Sequence, residues 1–91
     1  MYVLESANVY YGSSRYDLTG LPESFNEVNG PEDIDCEELK AFTGRFTGYP
    51  REFEVHVHEE MDFRDKGIDV FIRESIIATA DGFSVIWRKS E

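Results

Sequence analysis

His56-Val57-His58 sets two imidazoles two residues apart, which on a strand places both on one face about 6.6 Å apart. Sheet-borne imidazole pairs of this kind can hold a metal. A catalytic zinc needs three protein ligands, and nothing in the spacing supplies the third. Glu54, Glu59, Glu60 and Asp62 lie close by in sequence, and Cys36 is the one thiol. Two solvated histidines among carboxylates are the simpler account of the pattern. We therefore expect no metal and no cofactor, with His56 and His58 as the candidate ligands if one binds.

Cys36 falls near an expected helix N-terminus, where the dipole would activate a thiol. Asp33, Asp35, Glu37 and Glu38 oppose that activation, so an inert, half-buried thiol is expected. Ser13-Ser14 and Ser84 have no matching His–Asp partners. Thr43-Gly44-Arg45 and Thr47-Gly48-Tyr49 do not match the G-x-x-x-x-G-K-[ST] phosphate loop. Paired carboxylates could hydrolyse sugars, but 91 residues leave little room for a cleft. The chain does not read as an enzyme.

Charge is the more informative feature. Nineteen acids stand against nine bases, a net charge of −10. That balance argues against direct binding to nucleic acid or to an anionic membrane, both of which need a positive footprint. Residues 1–16 are neutral, and residues 63–91 hold five acids and five bases. Residues 17–62 hold thirteen acids and three bases, so the whole excess sits in the middle of the chain. Residues 17–38 and 52–62 contain no base at all.

Solubilising charge would be spread over every exposed face, and crowding it costs stability through self-repulsion. The expected function is that of a small acidic binding or inhibitor protein. It would act as a nucleic-acid mimic that occupies the basic groove of a nuclease, restriction or CRISPR-effector type of protein. The partner-binding residues would be Glu32, Asp33, Asp35, Glu37, Glu38, Glu52, Glu54, Glu59, Glu60 and Asp62. Tyr49 would be an aromatic anchor, with Phe46 also exposed. Two other readings stand beside this one. One is a small metal-binding domain using His56-x-His58; the other is an acidic structural or oligomerisation domain.

These residues need a scaffold, and the sequence gives an α+β one with a single domain over 1–91. Residues 2–11 read as a strand ended by Gly12-Ser13-Ser14, with Tyr16-Asp17-Leu18 returning along it. Residues 20–44 hold one or two helices. The first would run through LTGLPESFNEVNG, and the second would start near Pro31 and close at Gly44. From residue 52 apolar side chains alternate, at Phe53, Val55 and Val57. Asp65-Lys66-Gly67 signals a turn, followed by Ile68, Val70 and Ile72.

Asp81-Gly82 closes a hairpin that should set Ala80 opposite Phe83, Ala78 opposite Val85 and Ile76 opposite Trp87. The result is an antiparallel sheet of four to five strands with helices on one face. A helical ladder over 68–80 also fits, but its β-branched residues favour strand. Tyr49-Pro50 is the expected site of a cis peptide bond. With one cysteine, no signal-like N-terminus and no long apolar run, a cytoplasmic protein is expected. An open sheet edge could also pair two copies into a homodimer.

Overall fold

The computed structural model describes residues 1–63 and 70–90, with the backbone alone for 60–63 and 70–72. Six strands and one α-helix are present among them. The strands are β1 (Tyr2–Tyr11), β2 (Ser14–Asp17), β3 (Glu27–Val28), β4 (Glu54–Phe63), β5 (Val70–Ala80) and β6 (Phe83–Lys89). The helix α1 runs from Cys36 to Thr47. All pairings are antiparallel, in the order β2-β1-β6-β5-β4, with β3 beside the first residues of β1.

The C-terminal hairpin follows its turn chemistry. Gly82 has φ +82°, and Ile76, Ala78 and Ala80 stand opposite Trp87, Val85 and Phe83 as expected. Residues 70–80 are strand, which settles that segment against the helical ladder; Ile68 and the Asp65-Lys66-Gly67 turn lie outside the described residues. One sheet face buries Trp87, Val85 and Phe83 with Ile76, Ala78 and Val9. Trp87, Val85, Ile76 and Ala78 are fully enclosed.

β1 joins that face through a bulge. Leu4 pairs with Trp87, but the next paired residue is Ser6, opposite Ile86, so Glu5 is the extra residue. Leu4, Ala7 and Val9 break the two-residue period, and the bulge returns all three to the inner side. Glu5, pushed out, forms an ion pair with Arg88, its Oε1 2.8 Å from Arg88 Nη2.

The expected helix over LTGLPESFNEVNG does not form. Glu23–Phe25 is a single 3-10 turn, and Glu27–Val28 is strand β3. The carbonyls a helix would use internally are engaged elsewhere. Trp87 Nε1 donates to the Phe25 carbonyl at 2.6 Å, and the Leu4 amide donates to the Asn26 carbonyl at 2.8 Å. Phe25 and Val28 are thereby fixed in the core.

The second helix is displaced from its expected limits. Pro31–Asp33 forms its own 3-10 turn, and Asp35 caps α1 by accepting from the Glu38 amide at 3.1 Å. The helix ends at Gly48, φ +84°, and not at Gly44. Gly44 lies inside it, packed against the return chain: a Cβ there would stand a tight 3.1 Å from Pro50 Cγ. The chain after the helix folds back along it at that point. The Arg51 amide donates to Thr43 Oγ1 at 2.9 Å, and Lys40 Nζ donates to Glu52. That return delivers Phe53 to the core and starts β4. The described chain contains no cis peptide, so Tyr49-Pro50 is trans.

Residues 18–53, apart from strand β3, therefore form one layer over the inner sheet face. Leu18, Phe25, Val28, Ile34, Leu39 and Phe42 point from it into the core. The other sheet face has no layer over it among the described residues. No described helix is long and apolar enough to cross a membrane.

Candidate acidic interface

The acids of the covering layer concentrate around the start of α1. Glu32, Asp33, Asp35 and Glu37 are exposed, and Glu38 is half-buried. Part of this acidity has a local structural role. Asp33 Oδ2 accepts from the Asn29 amide at 2.9 Å, and Asp35 is the helix cap. Glu37 and Glu38 occupy the first turn, where the helix dipole favours negative charge. Glu32 folds back over Gly30, its Oε1 2.6 Å from where a Cβ on that glycine would stand. Glu52 joins the same layer through Lys40, whose pKa it raises by hydrogen bond and charge.

The remaining expected site residues lie apart from this group. Glu54 is on the open sheet face, its Oε2 3.5 Å from His56 Nε2. Glu59 is exposed on the other side of β4, opposite Glu74. Glu60 and Asp62 belong to the β4 backbone, but their side chains lie outside the described residues. Tyr49 is 67% exposed, and the Arg51 guanidinium sits 5.6 Å from its ring centroid. Arg45 stands 6.0 Å from the Phe42 ring. Tyr49 and Phe46 are thus both exposed, at the basic C-terminal end of α1.

No family model, characterised protein or solved structure matches this chain.

Sorting charge by face goes further than sorting it by sequence. By strand register and alternation, the open face and its margins carry Glu5, Asp17, Glu27 and Glu54 with Arg15, Arg73 and Arg88. Among the described side chains, which do not include those of Glu60 and Asp62, that is four acids to three bases. Among residues 18–53, the acids other than Glu27 are Glu23, Glu32, Asp33, Asp35, Glu37, Glu38 and Glu52, against Lys40, Arg45 and Arg51. Lys40 is tied to Glu52, and the two arginines sit at the far end of α1. The N-terminal end of the helix and the two 3-10 turns are left with acids only. Glu23 was not among the expected site residues, although the base-free run 17–38 contains it.

His56 is exposed beside Glu54, and among the described residues no group of three or more His, Cys, Asp or Glu side chains could hold a metal. Cys36 opens α1 half-buried. Burial first, then the carboxylates of Asp35, Glu37 and Glu52, push its thiol pKa up. The helix dipole is outweighed, and the thiolate needed for nucleophilic chemistry is disfavoured.

One polar cluster closes the far end of the inner face. Tyr2 Oη donates to Glu74 Oε2 at 3.1 Å, and Lys89 Nζ donates to the same oxygen at 3.0 Å. Lys89, and secondarily Tyr2, hold the Glu74 carboxyl below its usual range. The folded chain therefore binds that proton less tightly than the unfolded chain does. This contribution is present above the ordinary glutamate pKa of about 4.3 and is lost as pH falls through the folded value. Glu74→Gln should flatten the acid limb of the stability profile below about pH 4.3. Denaturation midpoints measured from pH 2 to 6, about the window of carboxyl titration, check this; an unchanged limb would remove Glu74 from the account.

Proposed function

We propose that the chain is a non-enzymatic binding domain whose acidic layer docks into the cationic groove of a nucleic-acid-handling protein. The observation that supports this reading is the sorting of charge between faces. Acids without bases gather at the start of α1 and its preceding turns, while acids and bases are mixed among the described side chains of the open sheet face. Charge that served solubility alone would have no reason to favour one layer. A cationic groove shaped for duplex DNA expects about one negative charge per 1.7 Å of axis, from both strands together. A carboxylate-bearing layer offers charge of the same sign, and attraction of opposite fields speeds encounter.

The mechanism is occupation. Carboxylates replace phosphates as partners of lysine and arginine, and the nucleic acid is excluded from the groove. Asp33, Asp35 and Glu52 hold the layer's own backbone and helix in place. Glu23, Glu32, Glu37 and Glu38 remain to meet the partner's cations.

The test is to immobilise the protein, load a nuclease-treated cell lysate and elute separately with salt and with duplex DNA. Retained proteins should be basic, should leave at moderate salt and should be displaced by the DNA. Retention that ignores both salt and DNA would contradict the reading.

A further inference from the structure

Among the described residues β4 is the last strand of the sheet and pairs with β5 alone. Among the described residues, no turn or loop backbone hydrogen bond reaches its other side. The opposite margin of the sheet is made only of the four-residue β2 and the two-residue β3. β4 is ten residues long, about 34 Å at the antiparallel rise. β6 pairs with β5 no further than Ser75, so from Glu59 onward β4 belongs to a two-stranded ribbon beyond the main sheet. Such an edge leaves alternate amides and carbonyls open to another strand.

The side chains along it select the occupant. Glu54 is 80% exposed on the open face. On the helix side Val57 is 51% exposed and Glu59 is exposed, because the covering layer does not reach over them. The turn Pro31–Asp33 lies against β4 and brings the exposed Glu32 and Asp33 to the same margin. No base occurs between residues 52 and 62.

A second copy fits poorly. Antiparallel pairing of two β4 strands about Val57 would set Glu54 opposite Glu60, and pairing about His56, although it sets Glu54 opposite His58, still joins two chains of net charge −10 along this margin. Like charges directly opposed destabilise a sheet. A strand alternating basic and apolar residues, with an apolar side chain beside Val57, sets a cation beside Glu54, on the face that also carries His56 and His58.

We propose that the β4 edge takes up an extended lysine- or arginine-rich segment of the protein partner as an added antiparallel strand. This rests on the acidic-domain reading above and adds a backbone-directed contact to it.

The probe is a ten-residue peptide of alternating lysine and valine, with two analogues N-methylated on every lysine or on every valine. Only one alternate set of amides can face β4, so one analogue should bind at least tenfold more weakly while the other matches the parent. Equal behaviour of the two analogues would overturn strand addition, since charge attraction alone does not distinguish them. Failure of the parent peptide to bind would overturn it too. If DNA-displaceable basic proteins were still retained in the lysate experiment, the acidic-domain reading would survive that failure; if none were, both would fall.

Discussion

Replacing Trp87 with alanine should destabilise the fold by about 3–5 kcal/mol, the range for removing a large buried aromatic. Trp87 is fully enclosed in the middle of the sheet, opposite Leu4 on one side and Ile76 on the other. Its ring lies 6.5 Å from that of Phe25, so it joins the sheet to the covering layer. It is also the donor that occupies the Phe25 carbonyl and so keeps residues 23–28 out of a helix. Truncation leaves both a cavity and an unpaired buried acceptor. Against a typical total of about 5–15 kcal/mol, that is enough to populate the unfolded state. Trp87→Phe separates the two terms: it keeps most of the volume but removes the donor, at about 1–3 kcal/mol. Denaturant titration at neutral pH reads both variants. A Trp87→Ala midpoint close to the wild type would show that the two layers are held together elsewhere.

Leu39→Ala should cost about 2–5 kcal/mol, with a different distribution over the molecule. Leu39 is 1% exposed and packs from α1 into the larger core cluster with Ile34 and Ile76. The other inner positions of α1 are Phe42 and Thr43, and the Thr43 hydroxyl is engaged by Lys40 and Arg51. Leu39 is therefore the principal anchor of the helix N-terminal half, where the acids gather. Its truncation should loosen α1 before the sheet. Amide exchange in α1 should accelerate more than in β5 and β6, and partner binding should fall although no charge has changed. Uniform acceleration through the whole sheet would mean that helix docking and sheet formation are one event.

The legible parts of the sequence were those in which neighbouring residues determine the outcome. Asp81-Gly82 with its flanking alternation gave the hairpin and its register, because turn geometry and pleat fix both locally. The α+β arrangement, with helical structure on one sheet face, followed from the change of period at residue 52. The misplaced elements were those decided by distant partners. Trp87 and Leu4 draw residues 23–28 into a turn and a strand, and nothing near those residues announces it. Gly44 looked like a helix end and is a packing contact for Pro50, six residues on. The bulge at Glu5 was not read from the sequence, although Leu4, Ala7 and Val9 are unevenly spaced for a strand.

The candidate site followed the same division. The acids of residues 32–38 are adjacent in sequence and remain adjacent in space. Glu54 and Glu59 fall on opposite sides of β4 because strand alternation separates them. Tyr49 is carried to the arginine end by the length of α1 and its return loop.

The central claim is that one layer, and not total charge, meets the partner. The direct measurement compares two variants with the same loss of charge, using a DNA-displaceable protein recovered from the lysate experiment. One carries Glu32→Gln, Glu37→Gln and Glu38→Gln in the acidic layer. The other carries Asp17→Asn, Glu27→Gln and Asp81→Asn outside it. Association at low salt should slow about five- to tenfold in the first, with a flatter salt dependence, and change less than twofold in the second. Equal slowing in both would contradict the claim and leave the charge as a bulk property of the chain.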